Sequence, residues 1–212
     1  MTGIPASLAA DLYVVLTSRG IALSKERLAP ALSLAERSEL NRWLVGRTLA
    51  VIAEWLGRMD RCLVVTACSE VLAAAERFGA RVLERPASGH NDAASAGAAR
   101  VAALGARRIV FLPADLPHLT PAALDAFVAR AVSADYVLAP DKEGPGTNAV
   151  IAHAVPDLQF FFGPGSLAKY VQWAGARGWR VAVHSTPELA FDLDSPEDYA
   201  LWSKTAIRGE IT

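Results

Sequence analysis

Three groups of residues in this sequence have types and spacings suited to phosphate chemistry. The first follows a short apolar run: the loop SRGIALSKERLAPAL carries Arg19, Lys25 and Arg27, three cations within nine residues, beside Gly20. Such a loop could embrace a triphosphate, although a solvated basic loop reads the same way, and neither a Walker P-loop nor a GxGxxG fingerprint is present. The second group is Asp115 in PADLP with Asp192 and Asp194 in FDLDSPED. Residues two apart on a strand share a face, so Asp192 and Asp194 can converge on one ion if AFDLD is a strand. Mg²⁺ is a hard cation that takes oxygen ligands from a few carboxylates and substrate phosphates. Equally, Asp194 precedes a helix cap at Ser195, and Asp115 precedes Pro117 in a loop. The third group joins GTN, Gly146 to Asn148, with FGPGSLAKY, Phe162 to Tyr170. There Gly165 and Ser166 open a helix whose free N–H groups and dipole favour an anion, with the serine hydroxyl as a further donor. An ordinary capped helix start accounts for Gly-Pro-Gly-Ser equally well.

The elements that must position these groups alternate. LYVVLTS (12–18), CLVVTA (62–67), ARVL (80–83), RIVFLPAD (108–115), DYVLAP (135–140), TNAVIAH (147–153), WRVAVH (179–184) and AFDLD (190–194) read as strands, apolar and rich in β-branched residues. Helices are expected over 35–57, ending at Gly57, over 69–78 with Ser69 as cap, and over the alanine-rich 92–104, whose small side chains permit close packing on a sheet. Further helices are expected over 121–132 with Thr120 as N-cap, over 165–177, and from Ser195-Pro196-Glu197-Asp198 onward. Strands alternating with helices mean a largely parallel sheet covered on both faces. Ligands of such sheets gather beyond the carboxyl ends of the strands, where the cationic loop and the aspartates fall.

A chain of 212 residues with 52% apolar content is expected to fold as one α/β domain, residues 1–212. With 21 basic and 22 acidic residues and no basic stripe, the sequence offers no nucleic-acid surface. It holds no apolar run long enough to span a bilayer, and MTGIPASLAADLY lacks the features of a signal peptide. Cys62 and Cys68 are too few for a disulfide framework, which fits a reducing cytoplasm. His90, His118, His153 and His184 show no zinc spacing, and Trp43, Trp55, Trp173, Trp179 and Trp202 fall in packing patterns.

In chain order these motifs resemble the CofC/FbiD family, the 2-phospho-L-lactate and phosphoenolpyruvate guanylyltransferases. Lys25, Arg27 and Leu28 match that family's Ala-Lys-Ser-Arg-Leu element, and Leu32, Ser33, Glu36 and Arg37 its Leu-Ser-x-x-Glu-Arg stretch. GHNDAASAG looks like its Gly-Leu-Asn segment, and PADLPHLTP, GTNAV, FGPGSLAKY and FDLDSPEDY follow in the family order. There are two departures. Arg19 stands where the family has lysine, a planar fork in place of a point charge. His90 stands where the family has leucine, near the expected guanine pocket.

The resemblance implies a GT-A-like, Rossmann-related, mixed but mostly parallel sheet with helices on both faces, in the class that includes molybdenum-cofactor nucleotidyltransferases. It implies transfer of GMP from GTP to a small phosphorylated carboxylic acid with release of pyrophosphate, in the biosynthesis of coenzyme F-420. Arg19, Lys25 and Arg27 would then hold the triphosphate, with Gly89 and Asn91 at the nucleoside. Asp115, Asp192 and Asp194 would hold Mg²⁺, and Asp115, Lys25 and Arg19 would be the catalytic groups. Thr147, Asn148, Gly163, Gly165 and Ser166 would bind the acceptor. A homodimer is also in keeping with the family. The alternatives are a sibling enzyme using 3-phospho-D-glycerate or another nucleotide, and a nucleotide-binding module without turnover. Arg19 favours the module; the retained aspartates argue against it.

Overall fold

The computed structural model describes residues 4, 5, 8, 11–21, 25–85 and 89–209, with side chains through 204. Ala22 to Ser24 of the cationic loop, and most of MTGIPASLAADLY, lie outside the described residues. In chain order the elements are β1 (Leu12–Thr17), α1 (Leu34–Leu56), β2 (Cys62–Thr66), α2 (Ser69–Arg77), β3 (Arg81–Glu84), α3 (His90–Ala103) and β4 (Arg108–Pro113). They continue with α4 (Pro121–Ala129), β5 (Tyr136–Pro140), β6 (Thr147–His153), α5 (Ser166–Gly175), β7 (Val181–Val183), α6 (Pro187–Ala190) and α7 (Pro196–Gly209). The strands form one seven-stranded sheet in the order β3-β2-β1-β4-β6-β5-β7. Only β6 runs against the others. Its reversed direction puts its first residue, Thr147, opposite Pro140 and at the same edge as Thr17 and Pro113, which are also register partners. The ends of β1, β4 and β5 and the start of β6 therefore build one ligand-facing rim.

Both faces of the sheet are covered. Val14 and Leu16 of β1 pack with Leu49, Ile52 and Trp55 of α1 and Phe127 of α4, whereas Val15 packs on the opposite face with Ala94, Ala98 and Val101 of α3 and Tyr170 of α5. That split is the period of two of a strand buried on both sides. The small residues of α3 do allow close approach. A Cβ on Gly97 would lie 2.5 Å from Val15 Cγ1 and 3.1 Å from Val65 Cγ2. Helix α1 starts on a capping box, in which Ser33 N–H donates to the Glu36 carboxylate at 2.8 Å and Glu36 N–H to Ser33 Oγ at 3.3 Å. It ends at Gly57 in the left-handed conformation.

A third, smaller cluster secures the ligand-facing loops. Leu28 from the cationic loop, Leu40 and Leu44 of α1, and Leu193 are buried together, with Phe191, Tyr199 and Trp202 packed against them. The loops carrying Lys25 and the aspartate pair are thus fastened to one another through their apolar residues.

The expected strand AFDLD does not form. Its place is taken by the short helix α6 and an extended segment whose Leu193 N–H donates to Asp115 O at 3.2 Å. Strand β6 is flanked by β4 and β5, so it has no edge left to pair, and Pro187 at the first turn favours helix. Other starts shift slightly. Helix α3 begins at His90, two residues before Asp92, and α5 begins at Ser166 with Gly165 as cap. Ser69 is the first residue of α2 rather than its cap, because Cys68 takes the cap position with its N–H held by Thr66 Oγ1 at 3.1 Å.

Candidate active site

The rim encloses a cleft of about 730 Å³. Arg19, Lys25, Arg27, Asp115, Thr147, Asn148, Gly163, Gly165, Asp192 and Asp194 all line it, so the structure brings together most of the residues singled out in the sequence. A second lobe of about 330 Å³ shares Thr17, Ser18, Arg19, Glu26 and His90 with it and extends between Thr66, Arg85 and Gly89.

Lys25 stands at the centre. Its Nζ donates to Asp115 Oδ2 at 2.8 Å and to Asp194 Oδ1 at 2.6 Å, and its side chain is only 4% exposed. Burial pulls this ammonium down, but the two carboxylates outweigh burial and hold it above the ordinary lysine value. Burial pushes Asp115 up, and Lys25 more than offsets that, so Asp115 ionises below the usual carboxylate range. Among the described residues, Lys25 is the only non-glycine with positive φ, at 61°. The 3₁₀ turn Glu26–Leu28 follows at once and anchors it through buried Leu28.

Asp192 and Asp194 reach the cleft although they are not on a strand. Leu193 between them is fully buried in the loop cluster, so the extended chain turns its two neighbours the other way. Asp192 is held above the usual carboxylate range by burial and then by the charge of Asp115, with Lys142 opposing. One oxygen of Asp115, Oδ1, is buried without a hydrogen-bond partner in the protein. Among the described residues, no group of three or more Asp, Glu, His or Cys side chains is gathered closely enough to hold a metal, and the Lys25 ammonium lies between two of the aspartates.

On the other wall, Thr147 Oγ1 is buried without a hydrogen-bond partner in the protein. Ser166 does not itself line the cleft but is fully buried next to the lining Gly165, its Oγ likewise without a partner in the protein. Two leading N–H groups of α5 are already engaged: Ser166 N donates to Gly163 O and Leu167 N to Pro145 O, both at 3.1 Å. That leaves the Thr147 hydroxyl as an orphaned polar atom of this wall. Asn148 directs its amide nitrogen to Leu189 O at 3.1 Å and Ala190 O at 2.9 Å, clamping the chain that leads to Asp192. The GTN turn itself is fixed by Asp141 Oδ1, which accepts from Gly144 N at 2.7 Å and Gly146 N at 3.1 Å. A Cβ at Gly146 would run into the Asp141 carboxylate and force it off the N–H groups it holds.

Gly89 lines the second lobe, but Asn91 lines neither. Its Nδ2 donates to the Phe162 carbonyl at 3.3 Å, joining α3 to the FGPGSLAKY loop. Its neighbour His90 takes the junction of the two lobes instead, edge-on to Phe162 with ring centroids 4.6 Å apart. Burial keeps His90 below the ordinary histidine value, against the pull of Asp115 and with Arg19 adding to the shift.

Two residues that the sequence reading passed over hold the aspartate loop in place. Asp198 accepts from Asp194 N at 3.1 Å, Ser195 N at 2.8 Å and Lys142 Nζ at 3.0 Å. Lys142 Nζ also donates to Asp192 O at 3.1 Å. The Ser195-x-x-Asp198 spacing is a capping-box signal that could have pointed to Asp198; Lys142, in a turn between strands, carried no signal beyond its charge.

The pattern of the family described as "Guanylyl transferase CofC like" matches residues 12–203 of this chain. The chain is 35% identical over 191 residues to the phosphoenolpyruvate guanylyltransferase of Rubrobacter xylanophilus, covering 90% of this chain and 92% of that one. It is 35% identical over 187 residues to the 3-phospho-D-glycerate guanylyltransferase of Phenylobacterium zucineum, covering 87% and 86%. With the 2-phospho-L-lactate guanylyltransferase of Methanothermobacter thermautotrophicus it shares 30% identity over 175 residues, covering 82% and 76%. The fold is similar to that of a nucleotidyl transferase structure from the same organism, with a TM-score of 0.61 at 18% identity and coverage of 93% and 98%. The mixed, mostly parallel sheet and the match over nearly the whole chain establish that this protein belongs to the CofC-like guanylyl transferase family and is a nucleotidyltransferase.

Proposed function

We propose that this enzyme joins GMP from GTP to the phosphate of a small phosphorylated carboxylic acid, phosphoenolpyruvate or 2-phospho-L-lactate, in the biosynthesis of coenzyme F-420. The observation that carries the acceptor assignment is the orphaned, buried Thr147 Oγ1 on the wall of the cleft that holds Asp115, Asp194 and Lys25, with the orphaned Ser166 Oγ one residue beyond the lining Gly165. The Phenylobacterium relative keeps 3-phospho-D-glycerate as the second reading.

An oxygen of the acceptor's phosphate attacks the α-phosphorus of GTP in line. The new P–O bond forms as the bond to the β-phosphate oxygen breaks, and pyrophosphate leaves with that electron pair. No general base is needed, because a phosphate monoester is largely ionised at neutral pH, its second pKa being about 6. Both reactants are anions, so positioning and charge neutralisation carry the catalysis. Arg19 and Arg27 bind the triphosphate and stabilise the departing pyrophosphate, joined by Lys25. The second lobe takes the nucleoside, against Gly89 and His90, while Asn91 acts indirectly by fixing Phe162. Thr147, Gly163, Gly165 and Ser166 orient the acceptor, and Asn148 holds the aspartate loop beside it.

Asp115, Asp192 and Asp194 are the residues that would hold Mg²⁺. The free Asp115 Oδ1 and the raised Asp192 fit a cation partner. Bound there, Mg²⁺ would supply charge neutralisation between the two phosphates. We further place this activity in the cytoplasm and in a single domain, with the family resemblance as the one ground for a homodimer. Among the described residues no helix is long and apolar enough to cross a membrane.

The test is a panel of phosphoenolpyruvate, 2-phospho-L-lactate and 3-phospho-D-glycerate, each with GTP and with ATP, read as pyrophosphate release. One of the first two acids with GTP should dominate. GTP binding without turnover on any acceptor would mark a binding module instead.

A further inference from the structure

We propose that Lys25 is a resident counter-ion, an ammonium that occupies the place between Asp115 and Asp194 until a divalent cation takes it, and that then turns to the nucleotide's polyphosphate. This inference rests on the reading that these aspartates bind a divalent cation.

Lys25 Nζ sits 2.8 Å from Asp115 Oδ2 and 2.6 Å from Asp194 Oδ1, on two segments far apart in the chain. A divalent cation bridging the same two oxygens would stand within contact distance of the ammonium, and like charges at that separation repel strongly. The two cannot share the position. The lysine is also built to leave it. Its backbone is anchored by Leu28, whose N–H donates to Lys25 O at 3.0 Å, while its four-carbon stem is flexible. The left-handed backbone at φ 61° is a conformation disfavoured for a side-chain-bearing residue, maintained where its ammonium is tied at both oxygens. Arg19 and Arg27 line the same cleft, so a released Lys25 joins two cations already positioned for a polyphosphate.

The consequence is coupling. Nucleotide draws Lys25 away and opens the cation's place, and the cation releases Lys25 toward nucleotide, each raising the other's affinity by the same factor. Without Lys25 the cation should bind well unaided, and nucleotide should help it less than it does in the wild type.

The experiment titrates Mn²⁺ into the full chain, wild type and Lys25→Met, following free Mn²⁺ by electron paramagnetic resonance with and without GDP. Lys25→Met should bind Mn²⁺ at least tenfold more tightly than wild type when nucleotide is absent. GDP, after subtraction of the Mn²⁺ that GDP holds in a protein-free titration, should sharpen the wild-type curve several-fold more than the variant's. A second arm uses wild-type protein alone. Acylation of Lys25 by an amine reagent, read by mass spectrometry, should accelerate several-fold in saturating Mn²⁺, with Lys169 as the exposed internal control. Equal or weaker Mn²⁺ binding by Lys25→Met overturns the proposal, as does unchanged Lys25 labelling. If that variant does not fold, the labelling arm decides. Mn²⁺ binding to wild type with no response to Lys25→Met removes this inference alone, whereas no Mn²⁺ binding under any condition removes the metal reading with it.

Discussion

Replacing Asp198 tests how the cleft is held in shape. Its carboxylate, 8% exposed, accepts from the N–H groups of Asp194 and Ser195 and from Lys142. Hydrogen bonds to a charged group contribute about 1.5–3 kcal/mol each in mutational series. Lys142 is 27% exposed, so its ion pair is discounted to about 1 kcal/mol or less. The two N–H groups share one carboxylate and can rehydrate once it is gone. Asp198→Ala should therefore cost roughly 2–4 kcal/mol, and at about 2–4 °C per kcal/mol for a chain of this size the midpoint should fall by roughly 4–16 °C. Asp198→Asn, which keeps one acceptor, should cost about half. Because Asp194 and Asp192 lose their restraints, kcat/KM should fall about 10- to 100-fold in each variant well below its melting point. The pH dependence has a defined sign. Burial raises the Asp198 pKa, but Lys142 and the two N–H groups outweigh it and hold the carboxyl below its ordinary value. The advantage of Asp198 over Asn should thus be complete above the unfolded carboxyl's value of about 3.9 and shrink as pH falls below it. Urea melts across pH 3–7 and pyrophosphate-release kinetics measure both effects. A variant with wild-type stability and turnover would refute this account of the aspartate loop.

Gly97→Val should destabilise the protein by roughly 1–3 kcal/mol or more, since even a Cβ there meets Val15 at 2.5 Å; a urea melt reads the cost. Ser166→Ala should raise the acceptor's KM far more than that of GTP in steady-state assays, and equal effects would show that the FGPGSLAKY loop serves the nucleotide. Arg19→Ala should raise the KM for GTP at least about tenfold, with Arg19→Lys recovering most of it, because charge rather than a planar fork is what the triphosphate requires at that position.

The alternation of β-branched runs with capped helices was enough to expect a parallel sheet with ligands at its carboxyl rim, and seven of the eight expected strands are present. The eighth, AFDLD, has a strand's composition but follows a segment held against β6, a strand already paired on both sides. That is a property of the whole sheet, which no local pattern carries. Nine of the ten cleft residues were recoverable because each is a charged, glycine or hydroxyl residue in or beside a loop at the rim, and the tenth, Asn148, because it completes the Gly146-Thr147-Asn148 motif. Asn91 misled for the opposite reason: its motif places it beside the cleft, while one turn of α3 points its amide to Phe162. Contacts such as Lys25 between two aspartates, or Lys142 with Asp198, join positions 56 to 169 residues apart. Only the fold brings them together.

The most direct test of the central claim is the identity of the product. Wild type and Asp115→Asn are each incubated with GTP, Mg²⁺ and phosphoenolpyruvate or 2-phospho-L-lactate, and the mixture is read by ³¹P NMR and mass spectrometry. Wild type should yield a diphosphate-bridged GMP adduct of the acid, one pyrophosphate per adduct, and Asp115→Asn should lose at least about a hundredfold of that rate, the scale of removing a group that stabilises transition-state charge. Pyrophosphate without an adduct, or an undiminished rate in Asp115→Asn, would contradict the account.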